Sequence, residues 1–257
     1  MKKKLLFKKI LYGLCVTIFW FSVWEILSLI VHSDLILPSP FETAKAFAAA
    51  VSDSDFYITA LLSLCRISVG FAVGLLFGAL LGTVCAFSQL ADYIFKPLLN
   101  IIKSTPVSSF ILLLLFWTSR EYVPSFIAML IVLPIIQSSV YEGIKSTDPL
   151  LIEMVNFFRV PKHKQILTVY AESVKSRLLA SSTTALGLAW KAGIAAEVLA
   201  TPVYAIGTQL YESKLYLETP RLFAWTALVI LLSIALEKLI LVLLKLIKRK
   251  TENISQR

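Results

Sequence analysis

Glu25, Arg66, Lys191 and Glu197 are four of the charged side chains that lie inside long apolar stretches of this chain. A charge within a membrane-spanning helix costs at least about 2.5 kcal/mol unless it is paired or hydrated, so each of the four marks a candidate solute or ion pathway. Arg66 has two outlets, snorkelling to the outer surface or pairing with Glu25 or Glu197. Lys191 directly follows Trp190 and precedes Glu197 by six residues. That spacing turns about 240° around a helix, so the two charges point apart and each needs another partner or water. Lys191 stands either beside a solvated translocation path or in a structural pair between helices.

Nothing in the sequence assembles a catalytic centre. Cys15, Cys65 and Cys85 are odd in number, lack ligand spacing and read as small apolar fillers. His32 and His163 fall far apart, so no metal site is expected. The dipeptide Gly-Lys never occurs, which removes a nucleotide-binding P-loop. H-E-x-x-H, G-x-S-x-G and paired intramembrane aspartates are also missing. The expectation is a chain with no catalytic residue, metal or cofactor. Any ATP-driven step then falls to a separate polypeptide.

The elements that must position these charges are membrane helices. Of 257 residues, 58% are hydrophobic and 16% charged, with mean hydropathy +0.80. A soluble domain carries about 45–50% apolar and about 25% charged residues. The apolar residues gather into runs at about 10–31, 58–87, 98–118, 123–140, 178–200 and 222–244, lengths suited to about 30 Å of hydrocarbon. The predicted fold is all-α, with about six spans in one transmembrane domain covering 1–257. The second run is long enough to need an extramembrane turn or a strong tilt. The first run is too long for a signal peptide and lacks an A-x-A cleavage site, so it reads as a retained span.

The net charge of +9 sits at the ends of the runs. The N-terminal tail carries five Lys or Arg, the stretch after the second run two (Lys96 and Lys103), the stretch after the fourth six, and the C-terminal tail five. The alternate loops hold only Lys45, Arg120, Lys214 and Arg221. This bias predicts that both termini are cytosolic. No basic stripe interleaved with aromatics suggests nucleic acid.

Gly70, Gly74, Gly78 and Gly82 recur every four residues in the second run, with Arg66 one step earlier on the same row. Such a row lets another helix approach its backbone closely. Outside the membrane, Ser39-Pro40-Phe41-Glu42 forms a capping box. The short helix it opens is either a shelf for an external partner or a cover over the bundle's rim. In the long cytosolic loop, Asp148-Pro149 supplies a helix start. Leu150, Leu151, Met154, Phe157 and Phe158 follow as one apolar stripe, which suits either a partner's groove or the membrane interface.

Several stretches resemble the permease subunits of bacterial binding-protein-dependent ABC importers, the nitrate/sulfonate/taurine class in particular. Leu37-Pro38-Ser39-Pro40, Ser63-Leu64-Cys65-Arg66 with Gly70, and Ala185-Leu186-Gly187-Leu188-Ala189-Trp190 followed by Ala195-Ala196-Glu197 are similar to that class's motifs. Ile206-Gly207 sits where the class has a glycine-containing turn. Its E-A-A-x-x-x-G motif corresponds to Glu153–Arg159, with Met154 and Val155 for the alanines and Arg159 for the glycine. A proline usual near Ala171-Glu172 is missing.

The resemblance implies a multi-pass protein of the bacterial cytoplasmic membrane, embedded in lipid. It implies that Asp148, Pro149, Leu150, Glu153, Met154, Phe157, Phe158 and Arg159 couple to a cytosolic ATP-binding subunit dimer. An extracytoplasmic solute-binding protein and a second permease copy are the other implied partners. Arg66, Trp190, Lys191 and Glu197 are the candidate pore or intramembrane polar residues. The alternative is a secondary transporter or channel with Arg66, Lys191, Glu25 and Glu197 as its relay; no pair of short, Gly/Pro-broken spans marks an inverted repeat.

Overall fold

The computed structural model describes residues 2–255, apart from the side chains of 2–7, 9–10, 162–163, 166–167, 240–241 and 243–255. Met1, Arg257, the His163 imidazole and most side chains of the two basic tails lie outside the described set. All regular structure among the described residues is helical. The order is α1 (Lys2–Val31), α2 (Pro40–Val51), α3 (Ser54–Phe87), α4 (Gln89–Ser104), α5 (Val107–Trp117) and α6 (Val123–Lys145). It continues through α7 (Pro149–Phe157), α8 (Lys162–Gln165), a π-helical turn (Ile166–Tyr170), α9 (Ala171–Ala200), α10 (Ile206–Leu215) and α11 (Thr219–Ser255).

Four helices are long and apolar enough to cross a membrane: α1, α3, α6 and α11. The bent pair α4–α5 counts as a fifth if it is one broken span. The third apolar run is therefore not one straight helix. It breaks at Thr105-Pro106 with a 106° bend. Pro106 has no N–H to continue the ladder, and its ring drives Thr105 out of the helical region, to ψ 132°. The second run, in contrast, needs no internal turn. α3 is one unbroken helix of 34 residues, about 51 Å at 1.5 Å per residue, so it overshoots the hydrocarbon at its ends.

α9 packs against α3, α6 and α11. Ala185, Ala189, Trp190 and Ile194 pack in one core with Ile67 of α3, Ala128, Val132 and Ile136 of α6, and Trp225 of α11. Small residues on α9 allow this. A Cβ added at Gly193 would press to 2.6 Å from the Ile67 side chain. The Trp190 indole donates to the Val229 carbonyl at 3.2 Å, tying α9 to α11.

The glycine row of α3 meets α6. All four glycines are buried, and a Cβ at Gly74, Gly78 or Gly82 would come within 2.7–2.8 Å of Val132, the Leu133 carbonyl or the Gln137 carbonyl. At Gly70 the obstacle is the Ser125 carbonyl. The row ends with Ser125 Oγ donating to the Arg66 carbonyl at 2.8 Å. Backbone-to-backbone dispersion replaces the hydrophobic drive that lipid removes.

α2 covers one rim of the bundle. Ser39 Oγ accepts from the Glu42 amide at 3.1 Å, as the capping box requires. Phe47 then meets Phe56 edge-on, with ring centroids 6.2 Å apart. α1 joins near the same end through Trp24, whose indole donates to the Pro38 carbonyl and stacks on Phe223.

Candidate coupling helix, loop clasp and mid-helix hollow

α7 projects between α6 and α9 at one end of the bundle. Asp148 caps it, accepting from the Leu150 amide at 2.9 Å, and Val155 anchors it as its one buried residue. The rest of the stripe is uncovered: Leu150 is 72%, Phe157 81% and Phe158 69% exposed, and Leu151 and Met154 also face outward. Glu153 stands exposed beside them. The carboxyl end of α7 is tied to the segment that follows. Gln165 donates to Asn156 Oδ1 at 3.1 Å and to the Val160 carbonyl at 2.8 Å. Arg159, just past the helix, has φ 50°, in the left-handed region.

At the opposite end, two polar clusters hold the loop between α9 and α10. In the first, the Ile206 amide donates to Ser63 Oγ at 2.9 Å, and Ser63 Oγ donates to Glu197 Oε2 at 2.9 Å. The Gly207 amide donates to the same carboxyl oxygen at 3.0 Å. Ile206-Gly207 is thus the first turn of α10 rather than a glycine turn. A Cβ at Gly207 would collide with Glu197 and Val198. In the second cluster Arg66 pairs with Glu121, in the α5–α6 loop, and donates to the carbonyls of Tyr204 at 3.0 Å and Val203 at 2.9 Å. Glu121 Oε1 accepts from the Val203 amide at 2.9 Å.

Arg66 therefore pairs with neither Glu25 nor Glu197. Its partner lies 55 residues away in a short loop. The supposed relay of Arg66, Lys191, Glu25 and Glu197 is not brought together. Arg66 and Glu197 are each engaged in fixing a loop, and Glu25 lies on α1, facing a separate surface hollow.

Lys191 is different. It points away from Glu197, as its spacing requires, and it is exposed. Among the described residues it has neither a hydrogen bond nor an ion pair. It belongs to a stripe of exposed α9 positions, with Thr184, Leu188, Ala195 and Leu199. It also lines a hollow of about 500 Å³ at the α4–α5 elbow.

The match to known proteins covers most of these elements. Residues 74–253 fit the model of the binding-protein-dependent transport system inner membrane component family. The chain belongs to that family. Among curated relatives, a putative aliphatic sulfonates transport permease of Bacillus subtilis is 22% identical over 206 residues, 79% of this chain and 74% of the relative. The nitrate import permease of Synechococcus elongatus is 24% identical over 73% of this chain and 71% of its own length. The taurine transport system permease of Escherichia coli is 21% identical over 83% and 80%. This chain is accordingly a multi-pass bacterial inner-membrane protein, the transmembrane subunit of a binding-protein-dependent importer.

Two local backbone features follow α7. Arg159 has φ 50°, a conformation glycine favours, and a side chain there costs about 1–2 kcal/mol. The π-helical turn Ile166–Tyr170 interrupts regular α-helix at the entry to α9.

Several residues of these clusters were not singled out by sequence. Glu121 carried a weak signal, an acid beside Arg120 in a short loop between apolar runs. Ser63 lay inside a motif without an assigned role. Lys103, counted with the loop charges, instead sits in the last turn of α4 at the elbow, donating to Ser138 Oγ at 2.8 Å.

Proposed function

We propose that this permease crosses the membrane six times with both ends in the cytosol. In this reading α9 and the bent α4–α5 pair are the two further spans, and α7 is the contact for a cytosolic ATP-binding subunit. The observation that carries the reading is the uncovered apolar stripe of α7: Leu150, Met154, Phe157 and Phe158 are exposed on a helix that buries only Val155. An exposed apolar face of this kind suits a partner's groove, in the helix-in-groove mode. The excess of Lys and Arg in alternate loops puts this helix on the cytosolic side.

ATP-driven closure of two such subunits would draw two copies of α7 together. Gln165 and the α6–α9 contact at Gly143 and Val174 would pass that movement to the spans as rigid bodies. A second permease copy would complete the path beside α9. An extracytoplasmic binding protein would deliver the solute, of the kind bearing an oxyanion group that the relatives' names give: sulfonates, nitrate and taurine.

The test uses the reconstituted importer in lipid vesicles. In Glu153→Lys and Leu150→Glu variants, ATP hydrolysis should no longer respond to the loaded binding protein, while the chain remains inserted. Normal stimulation in both variants would remove the docking role from α7.

A further inference from the structure

The hollow at the α4–α5 elbow lies away from the ends of α6 and α9. Leu130, Ile131 and Pro134 come from the middle of α6, and Leu188, Lys191 and Ala195 from the second half of α9. Lys191 is nine residues short of the end of α9, about 14 Å along the axis. A broken helix at this depth is tolerated where it lines a water-filled space, and such breaks carry the solute sites of other transporters.

The charge of the hollow is one-sided. Its own lining includes two lysines, Lys191 and Lys103, and no carboxylate; acids lie in adjoining hollows, Glu237 beside Lys191 and Asp92 and Glu142 beside Lys103. Lys103 is held by Ser138, whereas Lys191 has no partner among the described residues. The amino end of α5 opens onto the same space at Val107, and no side chain caps it. Its free amides add partial positive charge. Most of the remaining wall is aliphatic, which strengthens the field of the lysines by excluding polar competitors.

We propose that this hollow is a transit site for a small oxyanion, with Lys191 as the residue that makes the path charge-selective. Lys103 and the α5 amides contribute from the opposite wall. The inference rests on the permease reading and deepens it, by moving part of the choice of solute from the binding protein into the membrane subunit. A cation passing the elbow would meet two lysines and no carboxylate on the wall of this hollow. An oxyanion would meet donors on two sides.

The experiment needs no knowledge of the solute. In the full importer in native membranes, with Cys15, Cys65 and Cys85 replaced by serine or alanine, Ala195→Cys places a thiol in the hollow. Its rates of reaction with anionic sulfonatoethyl and cationic trimethylammonioethyl methanethiosulfonate are compared. The anionic reagent should react faster by about tenfold or more, after correction for free-thiol rates. Lys191→Met should collapse that ratio several-fold, Lys103→Met should lower it less, and Lys191→Arg should keep it. A reactive thiol whose ratio is unchanged by Lys191→Met and Lys103→Met overturns the inference and leaves the permease reading standing. A thiol that neither reagent reaches overturns the inference together with the path beside α9, because α9 would not then face water.

Discussion

The two ends of the bundle treat their polar and apolar groups in opposite ways. At the α10 end, Arg66, Glu121, Ser63 and Glu197 bind one another or the backbone of the 201–207 segment. At the α7 end and at the elbow, the informative side chains are left open: a stripe of exposed Leu, Met and Phe on α7, and Lys191 on α9. The difference separates two kinds of intramembrane charge. A charge with its partners in the same chain holds shape, and one without a partner is available to something outside the chain.

The sharpest way to break this comparison is to disturb the packing beneath both regions. Gly70→Val should cost about 3 kcal/mol or more, because its side chain meets the Ser125 backbone, and the variant should be lost from the folded fraction in detergent size-exclusion profiles. Next, Glu197→Ala strips the acceptor from Ser63 and the Gly207 amide. It should cost about 2–3 kcal/mol, read as a lowered Tm in detergent. Arg159→Gly should act in the other direction, stabilising the turn after α7 by up to about 1 kcal/mol. Lys191→Met should leave Tm within the shift of about 0.5 kcal/mol. A drop for Lys191→Met as large as that for Glu197→Ala would erase the distinction between held and free charges.

Much of this was legible in the chain itself. The glycine row called for a helix at close range, and α6 supplies it, because four-residue spacing fixes a face whatever the partner. Ser39-Pro40 and Asp148-Pro149 opened helices where local capping chemistry predicts. The opposed directions of Lys191 and Glu197 followed from helical geometry alone.

What was hidden depended on distance or on context. Arg66 finds Glu121 through the fold, and no spacing rule links positions 55 residues apart. The elbow at Thr105-Pro106 was masked by the apolar residues on both sides, which average into one span although the proline divides them. Arg159 read as a departure from a glycine motif because residue type does not reveal its left-handed backbone, φ 50°.

The most direct test of the central claim is isolation of the tagged chain from its native membrane in mild detergent, with counting of nucleotide-binding subunits. Wild type should carry one ATP-binding subunit per permease chain. Phe157→Asp should come out folded, with Tm within the shift of about 0.5 kcal/mol, yet stripped of that subunit. A folded wild-type chain that never carries an ATP-binding subunit, or a Phe157→Asp chain that keeps it in full, would contradict the account.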